Sequence, residues 1–384
     1  MPKEFPSKLT QLVLVGGGHS HAIFLKNLRD KPIPGLDIIL ISNTRFAPYS
    51  GMLPGYIAGF YSFEECHIDL EKLAKSTGIN FIVDEVVGLN LQKNLVLCAN
   101  RDPVVFDLLS MDIGSTPATL SVAGAANYAI PAKPVPILLE KYQFLEKKIL
   151  AQPEKNWDLV IVGGGAGGVE LTLALEAHLR KLIKNPNQLT VHLFHKKDEI
   201  MSSYSQWVRR CLTELLTSRG IKLHLKQAVS AIEKPSERLI LFCESGLKLE
   251  CDQVFWVTQA SAPAWLKEAG LATDKRGFIL VNDKLQSISH PQLFAAGDIA
   301  SIVDNPTPKA GVFAVRQGKP LYQNLTRVLQ NKPLKPYKAQ KQYLSLIGTG
   351  TGKAIASRGN WGFGPSKALW WWKDWIDRRF MDSF

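Results

Sequence analysis

Cysteine is scarce in this sequence, and the residues it has are poorly placed for chemistry. The 384 residues hold five, Cys66, Cys98, Cys211, Cys243 and Cys251, and no two form a C-x-x-C pair. An odd number without close spacing speaks against a disulfide framework, and no Cys/His cluster has the spacing of a zinc site, so no bound metal is expected. Long apolar runs are missing too. Stretches such as Leu36–Ile41, interrupted by Asp37, fall far short of the about 20 residues that a membrane span needs. The first ten residues, MPKEFPSKLT, carry neither an apolar core nor a small-residue cleavage site, so a cytoplasmic protein without a secretory leader is expected. Low-complexity tracts are absent and 46% of residues are hydrophobic, which excludes disorder as the main state. The length suits two or three domains, each with its own core.

Acidic residues are absent from one long stretch. Between Asn305 and Lys373 there is no Asp or Glu, while twelve Lys and Arg occur there, equal to the chain's whole net charge of +12. Such asymmetry suits a face turned towards something anionic, such as phosphate, lipid head groups or an acidic partner. A solvated basic surface that keeps the protein soluble fits the same pattern.

What is present is an internal repeat. Gln11–Leu25 reads QLVLVGGGHSHAIFL and Asp158–Thr172 reads DLVIVGGGAGGVELT, with Gly16 and Gly163 147 residues apart. Each copy runs from a β-branched and leucine-rich stretch through a glycine turn into an apolar helical pattern, the context in which such a turn cradles a dinucleotide. The first glycine permits the turn and the second lets the backbone approach a pyrophosphate. The following helix offers free N–H groups and the positive end of its dipole. Gly163, Gly165 and Gly168 complete G-x-G-x-x-G. In the first copy Gly16 and Gly18 are present, but His21 occupies the third position, where helix and strand pack.

The strand that follows each turn ends where a ribose would lie. After LDIILI come Ser42 and Asn43 rather than an acid, and either side chain still bonds a hydroxyl. After LTVHLF come His195, Lys196 and Lys197, which suit a 2′-phosphate and point towards NADPH or dual nucleotide use.

With these motifs the chain resembles the two-dinucleotide-binding-domain flavoproteins, a group that includes type II NADH dehydrogenases, sulfide:quinone reductases and disulfide reductases. DIGSTP (Asp112–Pro117) and VFWVTQASAPAWL (Val254–Leu266) are similar to the two crossings between flavin and nicotinamide domains. LFAAGDIA (Leu293–Ala300) is similar to the late motif whose acid, here Asp298, binds the flavin ribityl chain. The redox cysteines of the disulfide-reductase branch have no counterpart in PYSGMLPG (Pro48–Gly55), and sulfide chemistry lacks its cysteines as well. GGGHSH, PYSGMLPG, AGVFAVRQG (Ala310–Gly318) and WWWKDWIDRRFM (Trp370–Met381) further resemble the NADH-dehydrogenase-like module fused in some organisms to selenide, water dikinase.

The resemblance implies an α/β fold: two Rossmann-like three-layer domains for FAD and NAD(P), plus a C-terminal segment. The expected division is 1–120 with 275–325 for FAD, 121–274 for NAD(P)H, and 326–384 facing a membrane or partner. The implied flavin contacts are Gly16, Gly18, His19, Ser20, Ser42, Asn43, Arg45, Tyr49, Met52, Gly114, Ser115, Gly297, Asp298, Ala310 and Gly311. For NAD(P)H they are Gly163, Gly165, Ala166, Gly168, His195, Lys196 and Gln259. Glu170, beside the nicotinamide position, and Lys309, which could offset charge on a reduced flavin, are the candidate catalytic residues. Core packing accounts equally for Tyr49 and Met52, and a first-turn helix acid for Glu170. His19 and His21 read as packing or backbone-bonded residues.

The implied activity is hydride transfer from NAD(P)H to the flavin, then electron transfer to a quinone-like acceptor. A redox partner module in selenium metabolism and a non-catalytic redox sensor are the alternatives. Near the end of the chain, ALWWWKDWIDRRF puts Trp371, Trp375 and Phe380 within one helical face. Beside Lys and Arg, this suits peripheral contact with the inner face of a membrane, and a helix packed on its own domain fits too. A homodimer is compatible with the sequence. No nucleic-acid-binding motif is present.

Overall fold

The computed structural model describes residues 9–117, 122–258 and 260–384. The first glycine motif follows strand β1 (Thr10–Val15) and opens helix α1 (His19–Asp30), which leads to β2 (Leu36–Ser42). Together with β3 (Leu108–Met111) these strands belong to a five-stranded sheet, ordered Leu293–Ala295, β3, β1, β2, Asn80–Val83. All its pairings are parallel, with Leu12 opposite Ile38 on one side and Leu108 on the other. Leu12, Val13, Leu14 and Val15 are all buried. A continuous apolar run is what a parallel strand covered on both faces requires. The core on these faces takes Phe24, Leu25 and Leu28 from α1, and Leu89, Val96 and Phe106 from a small antiparallel sheet and the loop beyond it.

The second motif repeats the plan. Strand β4 (Trp157–Val162) runs through the glycine turn into helix α2 (Ala166–Leu182), followed by β5 (Leu189–His195) and later β6 (Gln253–Trp256). The sheet order is Ala129–Pro131, β6, β4, β5, Lys222–Leu225, again all parallel. In both sheets the glycine-bearing strand is central, so each turn opens at the carboxyl edge where ligands of open α/β sheets bind.

Two antiparallel segments, Thr116–Pro117 and Ala260–Ser261, pair where the chain crosses between the halves. Leu266 and Leu271, upstream of the expected return at 275, already pack in the first core with Phe278 and Ile279. Helix α3 (Gly311–Leu329) then lies beside α1, sending Leu321 and Leu325 into that core. The last segment is a three-stranded antiparallel sheet (Ser345–Gly348, Ala354–Arg358, Trp361–Ser366) capped by helix α4 (Lys367–Met381). Ser366 caps α4 by accepting from Leu369 N at 3.3 Å. Among the described residues no helix is long and apolar enough to cross a membrane.

Candidate functional site

The first cradle closes tightly around one carboxyl group. Gly16 has φ +93°, and a Cβ there would lie 2.4 Å from the Asp112 carbonyl oxygen. Gly18 N–H donates to that carbonyl at 3.2 Å. The Asp112 carboxyl, beneath the start of α1, accepts from His21 N–H at 3.1 Å. Burial pushes it up to about 7, against the hydrogen bonds from His21 and Ser20. His21, in the place of the third glycine, bonds through both ring nitrogens, Nδ1 to the Gly16 carbonyl at 2.6 Å and Nε2 to Ser110 Oγ at 2.8 Å. A carbonyl only accepts, so Nδ1 carries the proton and Nε2 accepts from Ser110. The ring thus bolts α1 to β1 and β3 where a glycine would let them touch. Burial holds it neutral, with a pKa lowered to about 4. Ser20 donates from its hydroxyl to Ala314 O in α3.

Four distant segments meet beside this cradle. Asp298 accepts from Ser115 Oγ at 3.2 Å and from Lys133 Nζ at 2.6 Å. Gly297 N–H donates to the buried Gln317 side chain at 2.6 Å. Gly114 has φ +71° and open space where a Cβ would stand. Lys133 lies in no motif, and only its fold position reveals it, whereas Gln317 belongs to AGVFAVRQG, where nothing in the sequence singles it out. Lys309 donates to Ala300 O and sits 4.1 Å from the Phe278 ring centroid. Burial lowers its pKa to about 8, opposed by Asp298. With Thr116, Lys133, Trp256 and Arg276 it lines a cleft of about 330 Å3 between the two halves.

The residues expected on the flavin's other sides divide. His19 lies 5.5 Å edge-on to Tyr49, and its Nε2 is buried without a hydrogen-bond partner. Ser42 is buried, and Asn43 is exposed beyond it. Arg45 turns elsewhere, its guanidinium bonded to Asp69 at 2.8 Å and Glu71 at 3.0 Å, because those carboxylates at a helix start face it. Met52 is fully buried among Tyr61, Cys66, Ala354 and Trp370, a packing position. Ala310 caps α3, and a Cβ on Gly311 would lie 3.0 Å from Ser50 Oγ, so the Pro48–Gly55 loop meets the α3 N-terminus.

The second cradle is more open. Gly163 has φ +129°, and a Cβ would lie 2.4 Å from Val257 O. A Cβ on Gly168 would come 1.7 Å from Gly163 O, so only glycine fits there. Gly165, just before Ala166 at the first position of α2, has nothing within 4 Å. His195 is engaged locally, its Nδ1 accepting from Gly164 N–H at 3.1 Å, which holds that nitrogen unprotonated. Lys196 is exposed beside it. Gln259 lies outside the described residues.

Glu170 of α2 accepts from Gly348 N–H at 2.8 Å and faces the C-terminal segment. Burial pushes it up to about 7, with the Lys373 charge opposing. Lys373 and Asp377, one helical turn apart on α4, form a buried ion pair. Lys373 also donates to Gly51 O at 2.7 Å, and Tyr49 donates from its hydroxyl to Asp377 at 3.2 Å. The inward face of α4 therefore carries Trp370, Lys373 and Asp377. The two charges turn inward because the Gly51 carbonyl and the Tyr49 hydroxyl need polar partners there. Trp371, Trp372 and Trp375 point outward, 68%, 45% and 55% exposed.

The five cysteines are unpaired, and burial raises Cys66 and Cys251 to about 12. No thiol is poised for disulfide exchange. Among the described residues no group of His, Cys, Asp or Glu could hold a metal ion.

The profile of the pyridine nucleotide-disulphide oxidoreductase family matches residues 10–318. The chain belongs to that family. Ferroptosis suppressor protein 1 of Xenopus tropicalis is 28% identical over 271 residues, covering 67% of this chain and 66%, just under two thirds, of the relative. The alternative NAD(P)H-ubiquinone oxidoreductase C1 of Arabidopsis thaliana is 24% identical over 374 residues, covering 87% and 70%. Among solved structures, sulfide:quinone oxidoreductase from Aquifex aeolicus superposes with a TM-score of 0.78 at 19% identity, covering 97% of this chain and 90% of that one. This likeness shows that the family's two-domain α/β fold is shared. None of these three similarities concerns a selenide, water dikinase. The disulphide in the family's name has no counterpart among this member's cysteines.

Proposed function

We propose that this chain is a flavin-dependent NAD(P)H:quinone oxidoreductase. The observation that carries the reading is one cleft flanked by two glycine cradles, lined by Lys133, which bonds Asp298 beside the first, and by Val257, which packs on Gly163 of the second, within a chain of the pyridine nucleotide-disulphide oxidoreductase family. A relative that covers most of the chain is an NAD(P)H-ubiquinone oxidoreductase by name. The first cradle fits a flavin dinucleotide. It keeps a buried, unpartnered His19 Nε2 and open space at Gly114, both of which a ligand would use. FAD bound there supplies the two-electron carrier between a nicotinamide and a quinone.

The chain's own residues bind, orient and neutralise. Gly16, Gly18 and the first turn of α1 hold the pyrophosphate, and Asp298 with Ser115 receives the ribityl hydroxyls. Gly163, Gly165 and Ala166 hold the second pyrophosphate at the start of α2. Lys196, with no acid at the end of β5, accepts the 2′-phosphate and favours NADPH. Lys309 places a cation at the cleft where negative charge develops. Glu170 holds a proton near neutral pH beside the Lys373–Asp377 pair, a reservoir for a quinone that must gain two protons.

The exposed tryptophans of α4, with Trp361 and Phe363 of the preceding strand and the basic residues around them, meet the head groups of a membrane that holds the quinone. Lipid, rather than a second copy of the chain, is the occupant proposed for this face. The test is oxidation of NADH and NADPH with a short-chain quinone, together with flotation on anionic vesicles. Quinone-dependent turnover and flotation lost in Trp371→Ser/Trp375→Ser support the reading. Absence of quinone turnover by flavin-loaded protein overturns it, and a dimer at that face in sedimentation overturns the lipid assignment.

A further inference from the structure

The two cradles share one backbone plan, and two of the positions where they differ face each other. In the second, Gly163 packs against the Val257 carbonyl and Gly168 lies on Gly163. In the first, Asp112 takes the place of Val257 and His21 the place of Gly168. A carboxyl therefore stands where the other cradle has an isopropyl group. It is 2% exposed and caps α1 from outside the helix through His21 N–H. A Cβ on Gly18 would lie 2.3 Å from its Cγ, and one on Gly297 2.3 Å from its Oδ1. Gly165, the counterpart of Gly18, faces open space instead. The first cradle's second glycine is thus required by Asp112 itself.

A pyrophosphate at the start of α1 and an ionised Asp112 would share one positive helix end in a dry site, where two negative charges repel strongly. We propose that Asp112 is a positioning residue of the first cradle that carries a proton whenever the dinucleotide is bound, so that a cradle in which Asp112 is ionised takes one proton from solvent on flavin uptake. The inference rests on the flavin reading of that cradle. A neutral carboxyl keeps one oxygen to accept from His21 and gains an O–H to donate.

The facing groups leave this titration to Asp112. His19 and His21 on α1 are buried, and both have pKa values lowered to about 4. Asp298 is paired with Lys133. Ser110 of β3 and Gln317 of α3 do not ionise. With Asp112 at about 7 in the empty cradle, binding requires proton uptake only above that pH. Affinity is then flat below about 7 and falls above it, by up to about tenfold per pH unit for one proton.

The test uses the full chain stripped of flavin and titrated with FAD from pH 6 to 9 by fluorescence, with circular dichroism to confirm folding. The expected Kd rises about 10-fold or more between pH 7 and 9. Asp112→Asn, which keeps the acceptor and adds an N–H donor, binds evenly across the range and more tightly than the parent at pH 9. Asp112→Val, which copies the second cradle, is also even. A parent Kd that stays flat, or an Asn variant with the parent's slope, overturns the inference. Failure of folded parent protein to bind FAD at any pH overturns the flavin reading itself, and this inference with it.

Discussion

Lys133 Nζ stands 2.6 Å from Asp298 Oδ2 and 3.1 Å from Ser115 Oγ, joining three segments at the mouth of the first cradle. If Asp298 receives the ribityl chain, Asp298→Ala removes a charge-assisted hydrogen bond of about 1.5–3 kcal/mol, roughly a 10- to 100-fold loss of flavin affinity. Lys133→Met leaves that acceptor in place and weakens binding less. The flavin-to-protein ratio after desalting reads both. Full flavin retention in Asp298→Ala contradicts the assignment.

The Lys373–Asp377 pair is 7% exposed on either side chain and ties α4 to the Pro48–Gly55 loop. Removing one partner strands the other charge in the interior. Lys373→Met should therefore destabilise by about 3–5 kcal/mol, whereas Lys373→Met/Asp377→Leu should recover much of that loss. Denaturant midpoints of the two variants check this. Equal losses would mean that the pair's burial is not what holds the helix.

Glu170 predicts a pH effect. Its carboxyl is raised to about 7, so it is neutral and able to give up a proton below that pH, and ionised above it. Quinone reduction should fall as pH rises through about 7. Glu170→Gln should remove that inflection and slow quinone reduction by about 100-fold, the scale of a lost general acid, leaving flavin reduction by NADPH in place. An unchanged pH profile in the variant would return Glu170 to a structural role.

Nucleotide choice is read at the end of β5. Lys196 is exposed there, and an acid in its place would repel a 2′-phosphate. Lys196→Glu should shift the kcat/KM ratio of NADPH to NADH by about tenfold or more towards NADH, a change of about 1.4 kcal/mol. No shift would place the 2′-phosphate elsewhere.

Much of the scaffold is legible from local pattern. The apolar runs at Leu12–Val15 and Leu159–Val162, each followed by glycines, announce two buried parallel strands, because such strands need no polar face. The turns at Gly16 and Gly163 follow from positions that a Cβ would block. What local pattern does not carry is long-range polar pairing. Lys373 meets Gly51 across 322 positions, and Lys133 meets Asp298 across 165. Arg45 looks available in sequence but is already bonded to Asp69, 24 residues on. Met52 looks like a lining residue until Trp370 arrives from the far end of the chain. Asp112 reads as one letter in a crossing motif. Its weight comes from three glycines that only the fold brings round it.

The central claim is electron transfer through a flavin held in the first cradle. The most direct test is an anaerobic absorbance titration of the FAD-loaded chain with NADPH and, in parallel, NADH. Rapid loss of the oxidised-flavin band near about 450 nm, with NADPH the more effective donor, is the predicted result. A flavin band that neither nucleotide bleaches would contradict the account.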